Sequence, residues 1–246
     1  MNKTLTSLAL ALICLLCVVA AEGQGRRGAR GKAKGPARPA APATPAAKTP
    51  DYFPLRVGDW WKYRSTPVSE EKSEFIVKVL STEKQPDGTT RYLLEKTTGD
   101  VAKEQGVAIH TLYSKTDGWV LMHKDFYVGN ESLSIEYTPG RQYLRNPLVA
   151  GAKWEWAGKG MQDQSLSESS EVVGFETVEV PAGKFKAMKI VSKVLAGGIK
   201  TTKTFWYADG VGLVKSMTEA GAISYGSELL DYSFKNGAPQ QAASRK

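Results

Sequence analysis

The sequence predicts an all-β protein: an antiparallel curved sheet, open barrel or sandwich of about ten to twelve strands. Three observations carry that expectation. Short runs rich in β-branched and aromatic residues recur at regular intervals. Glycine-containing turn signals separate them, among them Pro86-Asp87-Gly88, Asp117-Gly118, Pro139-Gly140, Pro181-Ala182-Gly183, Gly197-Gly198 and Asp209-Gly210. No segment keeps a helical period for three turns, and the best helical candidate, 100–105, is short.

The chain has 246 residues, and its N-terminal fifth is not β. Residues 1–21 read as a signal peptide. Lys3 supplies the positive start, 5–20 is an apolar run, and small residues at Val18, Ala20 and Ala21 fit cleavage after Ala20 or Ala21. At 1.5 Å per residue the run spans about 25 Å, short of a hydrocarbon core of roughly 30 Å. An uncleaved anchor is the alternative, and Arg26, Arg27 and Arg30 just behind the run favour it, because positive charge prefers the cytoplasmic side. Cys14 and Cys17, the two cysteines of the chain, both fall here, which leaves the rest without disulfides, thiol nucleophiles or cysteine zinc sites.

Residues 22–50 form a basic Gly/Pro/Ala-rich linker, expected to be disordered because it offers no aromatic or large aliphatic side chain to bury. The formal charge of the chain is +8. Residues 1–50 contain 8 of the 33 basic side chains and 1 of the 25 acids, so the remainder is close to neutral. That argues against a nucleic-acid-binding domain and leaves the 22–50 arm as the part suited to an anionic envelope polymer. Oligomeric state is not legible.

The β domain is expected over 52–235, with strands at 73–82, 90–96, 107–114, 118–126, 133–137, 153–156, 171–180, 185–195, 200–207, 212–218 and 223–234, and a flexible tail over 236–246. In the last strand Leu230, Tyr232 and Phe234 alternate with Asp231 and Ser233, the period of a strand with two unlike faces. The polar stretch 158–170 reads as a solvated loop.

Two halves of the domain, about 54–140 and 147–234, match at an offset near 93 residues. Pro54, Leu55, Gly58, Trp61 and Tyr63 return as Pro147, Leu148, Gly151, Trp154 and Trp156. Further on, Leu112-Tyr113 before Asp117-Gly118 returns as Trp206-Tyr207 before Asp209-Gly210. Two pseudo-repeats side by side would share a core and remove a pair of sheet edges.

The stretches 177–190 (TVEVPAGKFKAMKI) and 205–215 (FWYADGVGLVK), with the opening Gly58-Asp59-Trp60-Trp61-Lys62-Tyr63, resemble the signature of exported bacterial β-rich domains of unknown function, the TapB-like group. The resemblance covers about 52–235. It implies a periplasmic or secreted β domain, loosely similar in fold to periplasmic lipid and lipoprotein carriers, and it brings no catalytic residues with it.

Chemistry-bearing residues are sparse. The two histidines, His110 and His123, could face each other across a hairpin, or His110 could face Met122; no third ligand stands at a characteristic spacing, so no metal site is assigned. Asp163, Glu168 and Glu171 do not select themselves as a catalytic pair. No Gly-x-Ser-x-Gly elbow is present, and Ala208-Asp209-Gly210-Val211-Gly212 reads as a tight turn rather than a phosphate loop. Six tryptophans carry the binding hint. Trp61 and Trp154 read as core because the repeat equates them; Trp60, Trp119 and Trp156 are the candidates for a sugar platform or an acyl wall. The expectation is a non-enzymatic binding or carrier module for an apolar or glycan-like ligand, without a cofactor, with a lipid, glycan or envelope protein as partner. The alternatives are a hydrolase of an envelope polymer and a structural or protein-interaction domain.

Overall fold

The computed structural model describes residues 48–66, 73–99, 106–160 and 164–234. The expected signal peptide, most of the arm, the short helical candidate, Asp163 and the tail lie outside the described residues. Twelve antiparallel strands form a closed barrel: β1 (Trp60–Thr66), β2 (Glu74–Lys84), β3 (Thr90–Thr98), β4 (Val107–Thr116), β5 (Trp119–Tyr127), β6 (Asn130–Arg145), β7 (Lys153–Lys159), β8 (Ser165–Val180), β9 (Gly183–Ala196), β10 (Ile199–Ala208), β11 (Gly212–Ala220) and β12 (Ile223–Ser233). Each strand pairs with the next, and β12 returns to β1, so the wall has no free edge.

The turn chemistry acts as the sequence suggests at most junctions. Asp117-Gly118 joins β4 to β5, and Gly118 takes φ 79°, a conformation that disfavours a side chain. Pro139-Gly140 is the exception. It lies inside β6, where Thr138–Pro139 is a cis peptide. It separates no strands, because the chain continues in the same direction through an irregular ladder opposite β5. The polar stretch 158–170 is also not a solvated loop: β7 runs on to Lys159, β8 starts at Ser165, and Glu168 and Ser170 are buried.

One local construction occurs twice, 93 residues apart. Gly58 N–H donates to Val79 O, and Gly151 N–H donates to Val172 O. Val79 N–H returns to Asp59 O, and Val172 N–H returns to Ala152 O. In β2 the residue after Val79 drops out of the ladder with β3, and in β8 the residue after Val172 drops out of the ladder with β9. Both glycines have positive φ, 91° and 78°. Trp61 and Trp154 follow them and are both buried in the core.

The two joins between the halves differ. β1 and β12 share a ladder from Trp60↔Ser233 to Thr66↔Gly226. β6 and β7 share a single ladder pair among the described residues, Thr138↔Lys159. Side chains fill the rest of that seam: Trp154 Nε1 donates to Gln142 O at 3.1 Å.

Twelve strands enclose a wider space than the eight that small side chains can fill, and aromatic residues occupy it. Trp61, Tyr63, Tyr113, Trp154 and Tyr207 belong to one core with Val79, Val120 and Leu144. Residues 51–55 strap across the end of the barrel next to this core. Asp51 N–H reaches Asp209 Oδ1 at 2.8 Å, Lys115 Nζ reaches Asp51 Oδ1 at 3.0 Å, and Tyr52 N–H reaches Asn146 Oδ1 at 2.9 Å. Phe53 packs 5.2 Å from Tyr113 and 5.8 Å from Tyr143.

Charged residues such as Lys78, Lys153, Glu155 and Glu171 lie on the other faces of strands whose alternate residues are buried. This is the reverse of a membrane-spanning barrel, whose outward band is apolar.

Candidate functional site

Cross-strand register identifies which side chains share the lumen with the core, because directly opposed residues point to the same face. Tyr63 opposes Phe75, and Trp61 opposes Val77. Val77 opposes Lys96, which opposes Ile109. Asp125 opposes both Thr111 and Ile135. Near the strap the inward side chains are sealed: Val79 and Val120 are 0% exposed and Tyr207 1%. Away from the strap, Phe75, Val77, Ile109, Ile135 and Leu166 face inward yet stay half-buried.

A polar cluster stands in that second half. Arg141, from β6, donates through Nε to Glu168 Oε2 at 2.8 Å, and its Nη2 lies 2.6 Å from the same oxygen. Both residues are buried. Burial works against the charge of Arg141, but Glu168 together with Tyr137 and Tyr143 outweighs it, and the guanidinium stays protonated. Asp125 accepts from Thr111 Oγ1 at 2.6 Å and from Tyr137 Oη at 3.1 Å. Burial, followed by the Asp125 charge, pushes the Tyr137 hydroxyl far above the usual phenol range.

Lys203, on β10, faces the same interior. Phe205 and Tyr207, its alternate neighbours on that strand, pack with the core. Burial and then the Arg141 charge pull the Lys203 ammonium down to about 8, against the opposing pull of Glu168 and Asp125. Among the described residues Lys203 has no hydrogen-bond or ion-pair partner. The indole N–H of Trp156 is buried beside this cluster without an acceptor. Trp156 opposes Glu168 across β7–β8, and its ring lies 6.2 Å from Tyr137. Lys96 adds a third inward cation, its Nζ 4.3 Å from the centre of the Phe75 ring and its pKa lowered by burial.

The three tryptophan candidates do not form one surface. Trp60 lies on the outer face of β1, opposite Lys78 and Ser233. Trp119 sits near the strap end, 5.9 Å from Trp154 and under the Arg145 guanidinium at 5.1 Å. Trp156 alone reaches the polar cluster. Sequence reasoning passed over Arg141 and Lys203, and it weighed Glu168 only as a catalytic carboxylate in a loop. The available signal was the alternation Leu166, Glu168, Ser170, Val172 on one face of β8, masked because two of its four inward residues are polar.

The histidines do not meet. The two-residue turn sets Thr116 opposite Trp119, and His123 then drops out of the ladder, so His110 opposes Phe126 rather than His123 or Met122. His110 Nε2 bonds Glu95 at 2.9 Å, and His123 Nε2 bonds Ser114 Oγ at 2.8 Å. Among the described residues no three His, Cys, Asp or Glu side chains gather as a metal site. A recess of about 220 Å³ lies along β7, β8 and β9, lined by Lys153, Glu155, Glu171 and Lys193 among others. Its charges suit water better than an acyl chain.

A family model described as DUF3108-like matches residues 150–220. No curated protein matches the chain. Among solved structures, a protein from Bacteroides fragilis NCTC 9343, inferred to be exported and described as having a YmcC-like fold, is 17% identical with a TM-score of 0.51, over 75% of this chain and 100% of that one. A protein from Parabacteroides distasonis ATCC 8503, inferred to be a lipoprotein, is 14% identical with a TM-score of 0.48, over 76% and 100%. The hypothetical lipoprotein YmcC from Escherichia coli K12 is 15% identical with a TM-score of 0.40, over 71% and 85%. The family match and the first of these folds support the resemblance to uncharacterised exported β-rich domains.

Proposed function

We propose that the chain is an exported, non-enzymatic binding or carrier module that holds an amphipathic ligand inside the barrel, in the half away from the strap. The observation that carries this reading is the set of inward-facing apolar side chains, Phe75, Val77, Ile109, Ile135 and Leu166, that remain half-buried where their counterparts near the strap are sealed. A folded protein gains by covering such surface, at about 25 cal/mol per Å². The apolar run 5–20 and the description of the Bacteroides fragilis structure support export. The paired local construction at Gly58 and Gly151 supports an origin by duplication. The basic arm 22–50 suits contact with an anionic envelope polymer.

The hydrolase alternative has less support. A catalytic carboxylate must be free to give or take a proton, whereas Glu168 is engaged by Arg141 and Asp125 by Thr111 and Tyr137.

Native mass spectrometry of the protein purified from its own envelope tests the proposal. A co-purifying mass released by organic solvent is the expected result. A ligand-free protein that also fails to bind a twelve-carbon amphiphile would overturn it.

A further inference from the structure

We infer that Lys203 is the docking point for the oxyanion end of the ligand, a carboxylate or a phosphate, with the Trp156 indole N–H as a neutral second donor. This inference rests on the carrier reading above and adds the chemistry of the ligand's head.

The argument starts from unmet hydrogen bonds. Buried donors are nearly always satisfied, and an unsatisfied one costs more than a made bond returns. One buried donor of this kind, and one half-buried ammonium that lacks a protein acceptor, occur in this part of the lumen. Trp156 Nε1–H is buried with no acceptor. Lys203 Nζ has no acceptor among the described residues, although two carboxylates share its surroundings. Those carboxylates are committed elsewhere: Glu168 to the Arg141 fork, Asp125 to Thr111 and Tyr137. Among the described residues this half presents three cations at inward positions, Arg141, Lys203 and the solvent-exposed Lys96, against two acids, Asp125 and Glu168. A single anionic group would balance the set. The half-buried apolar side chains of the same half give an attached chain somewhere to lie.

The groups facing Lys203 fix how pH acts on it. Ser192 of β9 and Thr218 of β11 oppose it across the ladders and are neutral. Arg141 of β6, Glu168 of β8 and Asp125 of β5 act on it from across the lumen. Arg141 stays protonated over the neutral range, whereas the lowered Lys203 ammonium changes charge there. Its ammonium is present below about pH 8 and lost above it.

The test uses the full chain and three probes of equal tail length: dodecanoate, dodecyl phosphate and dodecanol, followed by tryptophan fluorescence or calorimetry at pH 6.5 and 9.5. At pH 6.5 the wild type should bind at least one anionic probe about tenfold or more tighter than dodecanol, the scale of one charge-assisted hydrogen bond. The stronger of the two anions identifies the source of the oxyanion. The preference should shrink severalfold at pH 9.5. Lys203→Met should abolish the preference while keeping dodecanol affinity, and Lys203→Arg should retain it at pH 9.5 as well, because a guanidinium does not titrate there. The wild-type pH comparison decides the matter even if a variant fails to fold. Equal binding of all three probes at pH 6.5 would overturn the oxyanion assignment and leave the carrier reading standing. Binding of none would overturn both.

Discussion

Arg141 and Glu168 meet inside the barrel wall with Nη2 and Oε2 2.6 Å apart, although 27 residues separate them and the poorly laddered β6–β7 seam lies between their strands. A charge pair so deeply buried contributes less than its geometry suggests, because both ions lose their hydration. Breaking it is another matter. Arg141→Met should destabilise the protein by about 3–5 kcal/mol, since Glu168 is left buried and uncompensated. The double change Arg141→Met with Glu168→Leu should recover most of that loss. Urea unfolding of the two variants checks this, and a double variant no more stable than the single would argue against it.

Both repeated turns, at Gly58 and Gly151, use a positive φ, and at Gly151 conformation rather than space is the constraint. Gly151 has φ 78° and open surroundings for a Cβ. Gly151→Ala should therefore cost roughly 1–2 kcal/mol, the penalty of a left-handed L-residue. Gly226 has the opposite problem. Its φ is ordinary, but an added Cβ would collide with the Ser216 carbonyl oxygen on β11. Gly226→Ala should cost more than Gly151→Ala, because backbone must move apart. Thermal midpoints of the two variants rank the effects.

The strap should respond to acid. Burial alone would raise the Asp51 carboxyl, but Lys115, the Asn146 amide and the Phe53 N–H together lower it below the ordinary aspartate range. A carboxylate depressed on folding contributes stability above its unfolded pKa and loses that contribution as pH falls through its folded value. The contribution is thus intact at neutrality and fades below about pH 4. Asp51→Asn should flatten the stability profile in that range. The effect should be modest, because the side chain is 41% exposed and water screens it. An unchanged acid slope would count against this role for Asp51.

Trp61 ties β1 to the β10–β11 turn through a 2.7 Å hydrogen bond from Nε1 to Val211 O. Trp61→Phe removes the donor, leaves a buried carbonyl without its partner, and opens space beside Phe234, whose ring lies 5.9 Å away. The expected cost is about 2–4 kcal/mol. Denaturant titration should show it as a lower midpoint with an unchanged slope.

Much of the architecture was legible because it is local. Asp117-Gly118 announces its turn, and the alternation of Leu230 through Phe234 announces a strand. Trp61 and Trp154 were expected in the core from their shared place in the sequence, and both lie there. The candidate site was poorly legible for a related reason. Trp156 was singled out as an aromatic, yet its importance lies in a buried indole N–H without an acceptor, at the strand position opposite Glu168, and no spacing rule connects residues 141, 156, 168 and 203.

The sequence by itself determined the all-β class, the approximate strand count and the offset of 93 residues, since period-two patterning and turn residues act over a few neighbours. Only the tertiary structure decided that the sheet closes, that β6 and β7 barely pair, and that Arg141, Glu168 and Lys203 face one lumen. The physical reason is register. Each residue that drops out of a ladder, Leu80, His123, Tyr143 or Val173, shifts the pairing by one and reverses which side chains point inward beyond it. Those irregularities answer to the packing of neighbouring strands, and a single strand read alone contains no record of them.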